Sequence, residues 1–124
     1  VTLFWLALAG ASGACARFVL DQAVSARYGR HFPWGILTVN TIGSLALGML
    51  VGSVPRVGAE LHLIVSVGFL GAFTTFSTWA LQSLLLIEAG RWRAAAFNLV
   101  GSLALGVAAA ALGWWLAVRM TTVT

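Results

Sequence analysis

Gly68-Phe69-Leu70-Gly71-Ala72-Phe73-Thr74-Thr75-Phe76-Ser77-Thr78-Trp79 stands in the middle of a run, 61–87, that holds no Asp, Glu, Lys or Arg. A run of this length and character covers the hydrocarbon core of a bilayer as a helix. Its centre nevertheless crowds glycine, β-branched and hydroxyl residues together, all poor helix formers. Two readings stay open from composition. In one, the helix is intact and its hydroxyls bond back to preceding carbonyls. In the other it breaks, and broken backbone at membrane depth survives only when it is buried in protein or lines water, where its freed carbonyls can coordinate a cation. Phe69, Phe73 and Phe76, with Trp79 nearly in line, form an aromatic stripe. Such stripes usually pack, but ring edges are positive, and edges beside amide and hydroxyl donors can solvate a small anion loosely enough to let it leave.

Outward from this run, three more apolar stretches occur at about 3–20, 34–54 and 94–118. Of 124 residues 60% are hydrophobic and 8% charged, against about 25% charged in a soluble domain. The chain therefore reads as an all-α membrane protein, one domain over 1–124 with four transmembrane helices, multi-pass in the inner or plasma membrane. The first stretch lacks a basic n-region and further spans follow it, so it reads as a span rather than a signal peptide. Loops are expected at 21–33, 55–60 and 88–93, short enough to force antiparallel neighbours. Trp5, Trp34, Trp92, Trp114 and Trp115 fall near span ends, as interfacial anchors do. Arg17, Arg27, Arg30, Arg91 and Arg93 lie towards one side, against Arg56 and Arg119 on the other. This bias places loops one and three in the cytoplasm, weakly enough to allow insertion both ways. The scattered arginines make no basic stripe for nucleic acid, and the single cysteine, Cys15, excludes an intrachain disulfide.

Shifted by 58 residues, the chain echoes itself. Asn40-Thr-Ile-Gly43-Ser44-Leu-Ala-Leu-Gly48 aligns with Asn98-Leu-Val-Gly101-Ser102-Leu-Ala-Leu-Gly106 at seven of nine positions, and Gly10-Ala-Ser-Gly13-Ala14 with Gly68-Phe-Leu-Gly71-Ala72. The pattern implies a duplicated two-helix hairpin, 1–58 and 59–116. Each unit has an even number of spans, so the halves share one orientation, and inverted symmetry requires a second subunit.

Asn40, Ser44, Gly48 and Gly52 recur every fourth residue on span two, as do Asn98, Ser102, Gly106 and Ala110 on span four. The glycines read as packing positions that let helices approach. An asparagine within lipid depth must instead find partners or face water, and such groups mark pathways. No carboxylate lies mid-span, since Asp21, Glu60 and Glu88 are all near ends, and His31 and His62 sit in or beside loops. Proton-coupled antiport and metal catalysis lose their usual groups. Ser77 has no histidine or lysine partner for nucleophilic catalysis, so no enzyme is expected.

Three motifs in order, Gly10-x-x-Gly13-Ala14-x-x-Arg17-Phe18, Pro33-x-Gly35-x-Leu37-x-x-Asn40-x-x-Gly43 and Gly68-Phe-x-Gly71-x-x-Thr74-Thr75-Phe76-Ser77-Thr78, resemble the Fluc (CrcB) fluoride channels across all four spans. The resemblance implies a dual-topology antiparallel homodimer whose third helix is broken mid-membrane, with two narrow pores through which fluoride leaves the cytoplasm passively and a structural sodium ion at the dimer centre. It makes Asn40 the span-two pore amide and places Phe76 and Trp79 at the two aromatic positions whose ring edges line the path. Ser77, Thr78 and Ser102 become hydroxyls along the pore. Asn98, beside Phe97 where some relatives carry a tyrosine, is placed on the pore as well. Arg17 faces a vestibule, and the backbone carbonyls of Gly71 and Thr74 hold sodium. The implied partners are fluoride, a second copy of the chain and the bilayer, with no nucleic acid.

The chain departs from the family pattern at Ala9, which replaces the first glycine of a usual Gly-Gly pair, at Ile36, where threonine is common, and at Trp79, where phenylalanine is usual. Two competing readings remain. A small multidrug-type proton-coupled exporter has the same size but needs an acid in the middle of its first span. A non-transporting assembly subunit would use Gly48 and Gly52 merely to pack, leaving Asn40, Asn98 and the threonine run unexplained.

Overall fold

The computed structural model describes residues 1–53 and 55–123, and among them the only regular structure is helical. Helix α1 spans Thr2–Tyr28 and α2 Trp34–Gly52. The third span, Ala59–Glu88, comprises α3 (Ala59–Leu63), a π-helical stretch π1 (Ile64–Leu70), α4 (Gly71–Phe73) and α5 (Phe76–Glu88). The fourth, Trp92–Thr122, comprises α6 (Trp92–Ala96), a second π-helical stretch π2 (Phe97–Gly101) and α7 (Ser102–Thr122). All four spans are long and apolar enough to cross a membrane, and the protein is a multi-pass membrane protein.

The first helix corrects the sequence reading. It runs eight residues past Leu20, through most of the loop expected at 21–33, because Gln22, Ala23, Ala26 and Arg27 favour helix and nothing stops it before Gly29. There the chain turns at φ 80°, a conformation natural to glycine. The extra turns carry Asp21 to the first turn of α2, where its carboxylate packs against Gly35. The positive end of a helix dipole favours a carboxylate at that place. The third loop likewise shrinks, since Glu88 ends α5 and Trp92 already begins α6. Val54, the last residue of the expected second span, and Thr124 lie outside the described residues.

Small residues set how closely the helices approach. A methyl group added at Gly48 would overlap the Ala110 carbonyl, and one at Gly113 the Leu45 carbonyl, so α2 and α7 pack backbone to backbone along their length. One added at Gly13 would overlap the Phe69 carbonyl, which puts α1 equally close to π1. The loop ends are tied by arginines. Arg91 donates to the His31 carbonyl and joins loops one and three, while Arg56 donates to the carbonyls of Met120 and Thr121 at the end of α7. Arg119 lies over the Trp115 ring, 5.1 Å from its centroid.

Candidate functional site

Between α4 and α5 the backbone leaves the helix for two residues. Thr74 (φ −81°, ψ 157°) and Thr75 (φ −147°, ψ 125°) are extended. Their polar groups are satisfied from several directions. Thr74 donates from both its amide and its hydroxyl to the Leu70 carbonyl, at 3.0 and 2.9 Å. Thr75 caps α5, its hydroxyl oxygen accepting the Thr78 amide at 3.3 Å and donating to the Thr78 hydroxyl at 3.1 Å, the usual service of a threonine at a helix start.

Thr75 is buried, and its peptide is held from across the bundle. Asn40 on α2 accepts the Thr75 amide at Oδ1 and donates from Nδ2 to the Thr75 carbonyl, both at 2.9 Å. Its amide thus mimics a neighbouring β-strand at a place where no strand exists. Asparagine Nδ2 carries two hydrogens, so one donor is left over after this pairing. A consequence follows for two carbonyls upstream. In an unbroken helix the amides of Thr75 and Thr78 would bond the carbonyls of Gly71 and Thr74, but here both go to side chains.

These residues border a groove of about 490 Å³. Asn40, Ser44, Thr74, Thr75, Phe76, Trp79 and Ser102 line it together with Gly43, Gly71 and Gly106. Its described lining contains no charged residue. Phe76 is 75% exposed, and its ring meets that of Trp79 at 5.0 Å between centroids and 55° between planes. The aromatic stripe seen in the sequence is divided by the extended pair. Phe69 and Phe73 stack with each other at 5.8 Å on the upstream side, where Phe73 is buried, and Phe76 and Trp79 pair downstream.

The other expected site residues fall in different surroundings. Ser77 is exposed, 3.4 Å from the Thr75 hydroxyl, and Thr78 is bound into the Thr75 cap; neither is among the groove-lining residues. Arg17 is half-buried on α1, away from the groove. Ser102 lines the groove and donates to Asn98 Oδ1 at 3.3 Å. Asn98 itself is 1% exposed and sits behind the groove wall, its Nδ2 donating to the Ser83 hydroxyl at 2.8 Å. The backbone carbonyl of Asn98 accepts the indole N–H of Trp79 at 2.9 Å. The two repeat-related asparagines therefore both hold the third span, Asn40 at Thr75 and Asn98 at Ser83 and Trp79. Sequence reasoning passed over Ser83, which is 2% exposed. Its position four residues after Trp79 was the available signal.

The chain matches the family described as CrcB-like protein, Camphor Resistance (CrcB), over residues 4–114. It is similar to a protein of Magnetococcus marinus named fluoride-specific ion channel FluC, with 49% identity over 112 residues, 88% of this chain and 91% of that one. A protein of the same name from Alteromonas mediterranea is 40% identical over 119 residues, 94% of this chain and 91% of its own. Fluoride-specific ion channel FluC 2 of Mycobacterium bovis is 45% identical over 111 residues, 89% of this chain and 86% of its own.

Proposed function

The chain belongs to the CrcB-like family, and from that premise we propose that it is a fluoride-specific passive ion channel of the cell membrane, exporting fluoride from the cytoplasm and not an enzyme. The observation that carries the reading is the groove: amide, hydroxyl and aromatic edges at the middle of a membrane span, with no carboxylate or cation among its described lining residues. Asp21, the one acidic residue of α1, packs against Gly35 in the first turn of α2.

Fluoride is small and strongly hydrated, so a narrow path must replace its water with donors. The spare Nδ2 hydrogen of Asn40 and the edges of Phe76 and Trp79 are such donors along one wall, with the hydroxyls of Ser77, Thr78 and Ser102 near them. Ring edges attract an anion weakly, which suits passage rather than capture. Chloride is excluded mainly by width, and two sites in series let repulsion between ions speed exit.

The functional unit in this reading is an antiparallel homodimer of dual topology. The extended Thr74–Thr75 backbone is a mid-membrane break, and such backbone needs protein or water rather than lipid against it. A second copy of opposite orientation supplies that cover, since two parallel halves within one chain cannot provide the inversion. The carbonyls of Gly71 and Thr74, released from their helical donors, fit the oxygen preference of a hard cation, and the same pair from the second copy completes a sodium site. Bound there, sodium adds positive field and ties the subunits together. Arg17 serves an outer vestibule that gathers anions. Fluoride efflux from liposomes holding the purified protein, compared with chloride, tests the proposal: loss of fluoride without chloride supports it, and no fluoride loss from folded protein overturns it.

A further inference from the structure

Trp79 is tied to the fourth span at two points. Its indole N–H donates to the Asn98 carbonyl at 2.9 Å, and that carbonyl also accepts the Ser102 amide within the helix. Asn98 Nδ2 donates to the Ser83 hydroxyl at 2.8 Å, and Ser83 in turn donates to the carbonyl of Trp79 at 2.8 Å. The three residues close a ring of hydrogen bonds between α5 and π2, with Ser83 and Asn98 among the most buried polar side chains described. A π-helical turn widens the local helix and is often found where function needs a displaced group. Here the carbonyl that accepts the indole N–H lies within such a stretch.

The arrangement has a chemical consequence. An indole N–H facing the groove would be a strong donor, able to bind fluoride tightly or to be bypassed as bulk. With that hydrogen engaged by a carbonyl, what Trp79 offers the groove is the rest of its ring, tilted 55° to that of Phe76. We propose, resting on the channel reading above, that Asn98 and Ser83 are positioning residues for Trp79. They hold its indole against span four so that an anion meets a fixed ring edge instead of a donor N–H. Asn98 on this view acts through Trp79 and does not touch the ion.

A double-mutant cycle on fluoride efflux from liposomes tests this, with Asn98→Leu and Ser83→Ala each placed in the native chain and in a Trp79→Phe background, and with chloride efflux measured in parallel. Phenylalanine has no N–H to be held, so it does not depend on the clasp. In the native chain each change lowers fluoride efflux by about tenfold or erodes the discrimination against chloride, and in the Trp79→Phe background the same change costs at most about twofold. Equal losses in both backgrounds, or no loss in either, overturn the positioning role. If Asn98→Leu does not yield folded protein, Ser83→Ala, which removes one hydroxyl, decides alone by the same comparison. Failure of the native protein to pass fluoride overturns the channel reading itself, and is thereby distinct from failure of this inference.

Discussion

At Asn40 one carboxamide does three things that no other side chain of its size can combine. It accepts the Thr75 amide, donates to the Thr75 carbonyl and keeps one hydrogen for the groove. An aspartate there keeps the first bond, sets a carboxylate oxygen against a carbonyl, and places a negative charge on an anion path. Asn40→Asp is accordingly expected to lower the unfolding temperature in detergent, in line with a loss of about 1–3 kcal/mol for a broken buried pairing, and to reduce fluoride efflux; unchanged or faster efflux would remove Asn40 from the path. Phe76 makes the complementary test. Its ring is largely exposed, so Phe76→Ile takes away an aromatic edge with little loss of packing, and fluoride efflux should fall about tenfold, equivalent to ~1.4 kcal/mol, while the unfolding temperature stays near that of the native chain. Sequence alone singled out Asn40 because an intramembrane amide must find partners. It could not tell that Asn98, its partner in the repeat, is 1% exposed. The same four-residue spacing serves both helices, yet Asn40 lines the groove while Asn98, in the π-helical stretch Phe97–Gly101, is not among its lining residues.

The glycines decide how the elements meet, and their spacing was readable because a helix repeats its face every three to four residues. Which of them tolerate a side chain was not readable, since that depends on the neighbour. Gly48 and Gly113 abut backbone carbonyls, whereas a methyl group at Gly10 would come no nearer than 3.7 Å to the Gly68 carbonyl. Gly48→Ala and Gly113→Ala should each cost ~1–3 kcal/mol through overpacking, seen as a lowered unfolding midpoint, and Gly10→Ala should be close to neutral; a reversed order would mean that α2 and α7 do not pack this closely. The end of the first helix was misplaced for a related reason. Apolarity marks where a chain leaves the hydrocarbon, not where it stops being helical, and residues 21–28 are polar enough to end a span while still favouring helix. In the third span, composition by itself leans towards an intact helix. Thr74 and Thr75 are extended, and Thr75 pairs with Asn40, a residue more than thirty positions away, which local propensity does not see.

For the whole molecule, four spans give a bundle whose groove is walled by spans two, three and four. Membrane character followed directly from the scarcity of charge, and the family from three motifs in order. The proposed pairing with a second copy rests instead on what a single chain leaves uncovered, including Phe76 and the exposed Ser77 beside the extended backbone. Cross-linking of cysteines introduced at mid-span on that face should trap a dimer in membranes, and a protein that stays monomeric while conducting would contradict the assembly. The central claim, that the groove passes fluoride and rejects larger halide, is tested most directly by efflux from liposomes reconstituted with the native chain, read with a fluoride electrode and repeated with chloride. Rapid fluoride loss with chloride retained is expected; folded, reconstituted protein that releases neither ion, or both alike, would rule out a fluoride-selective groove.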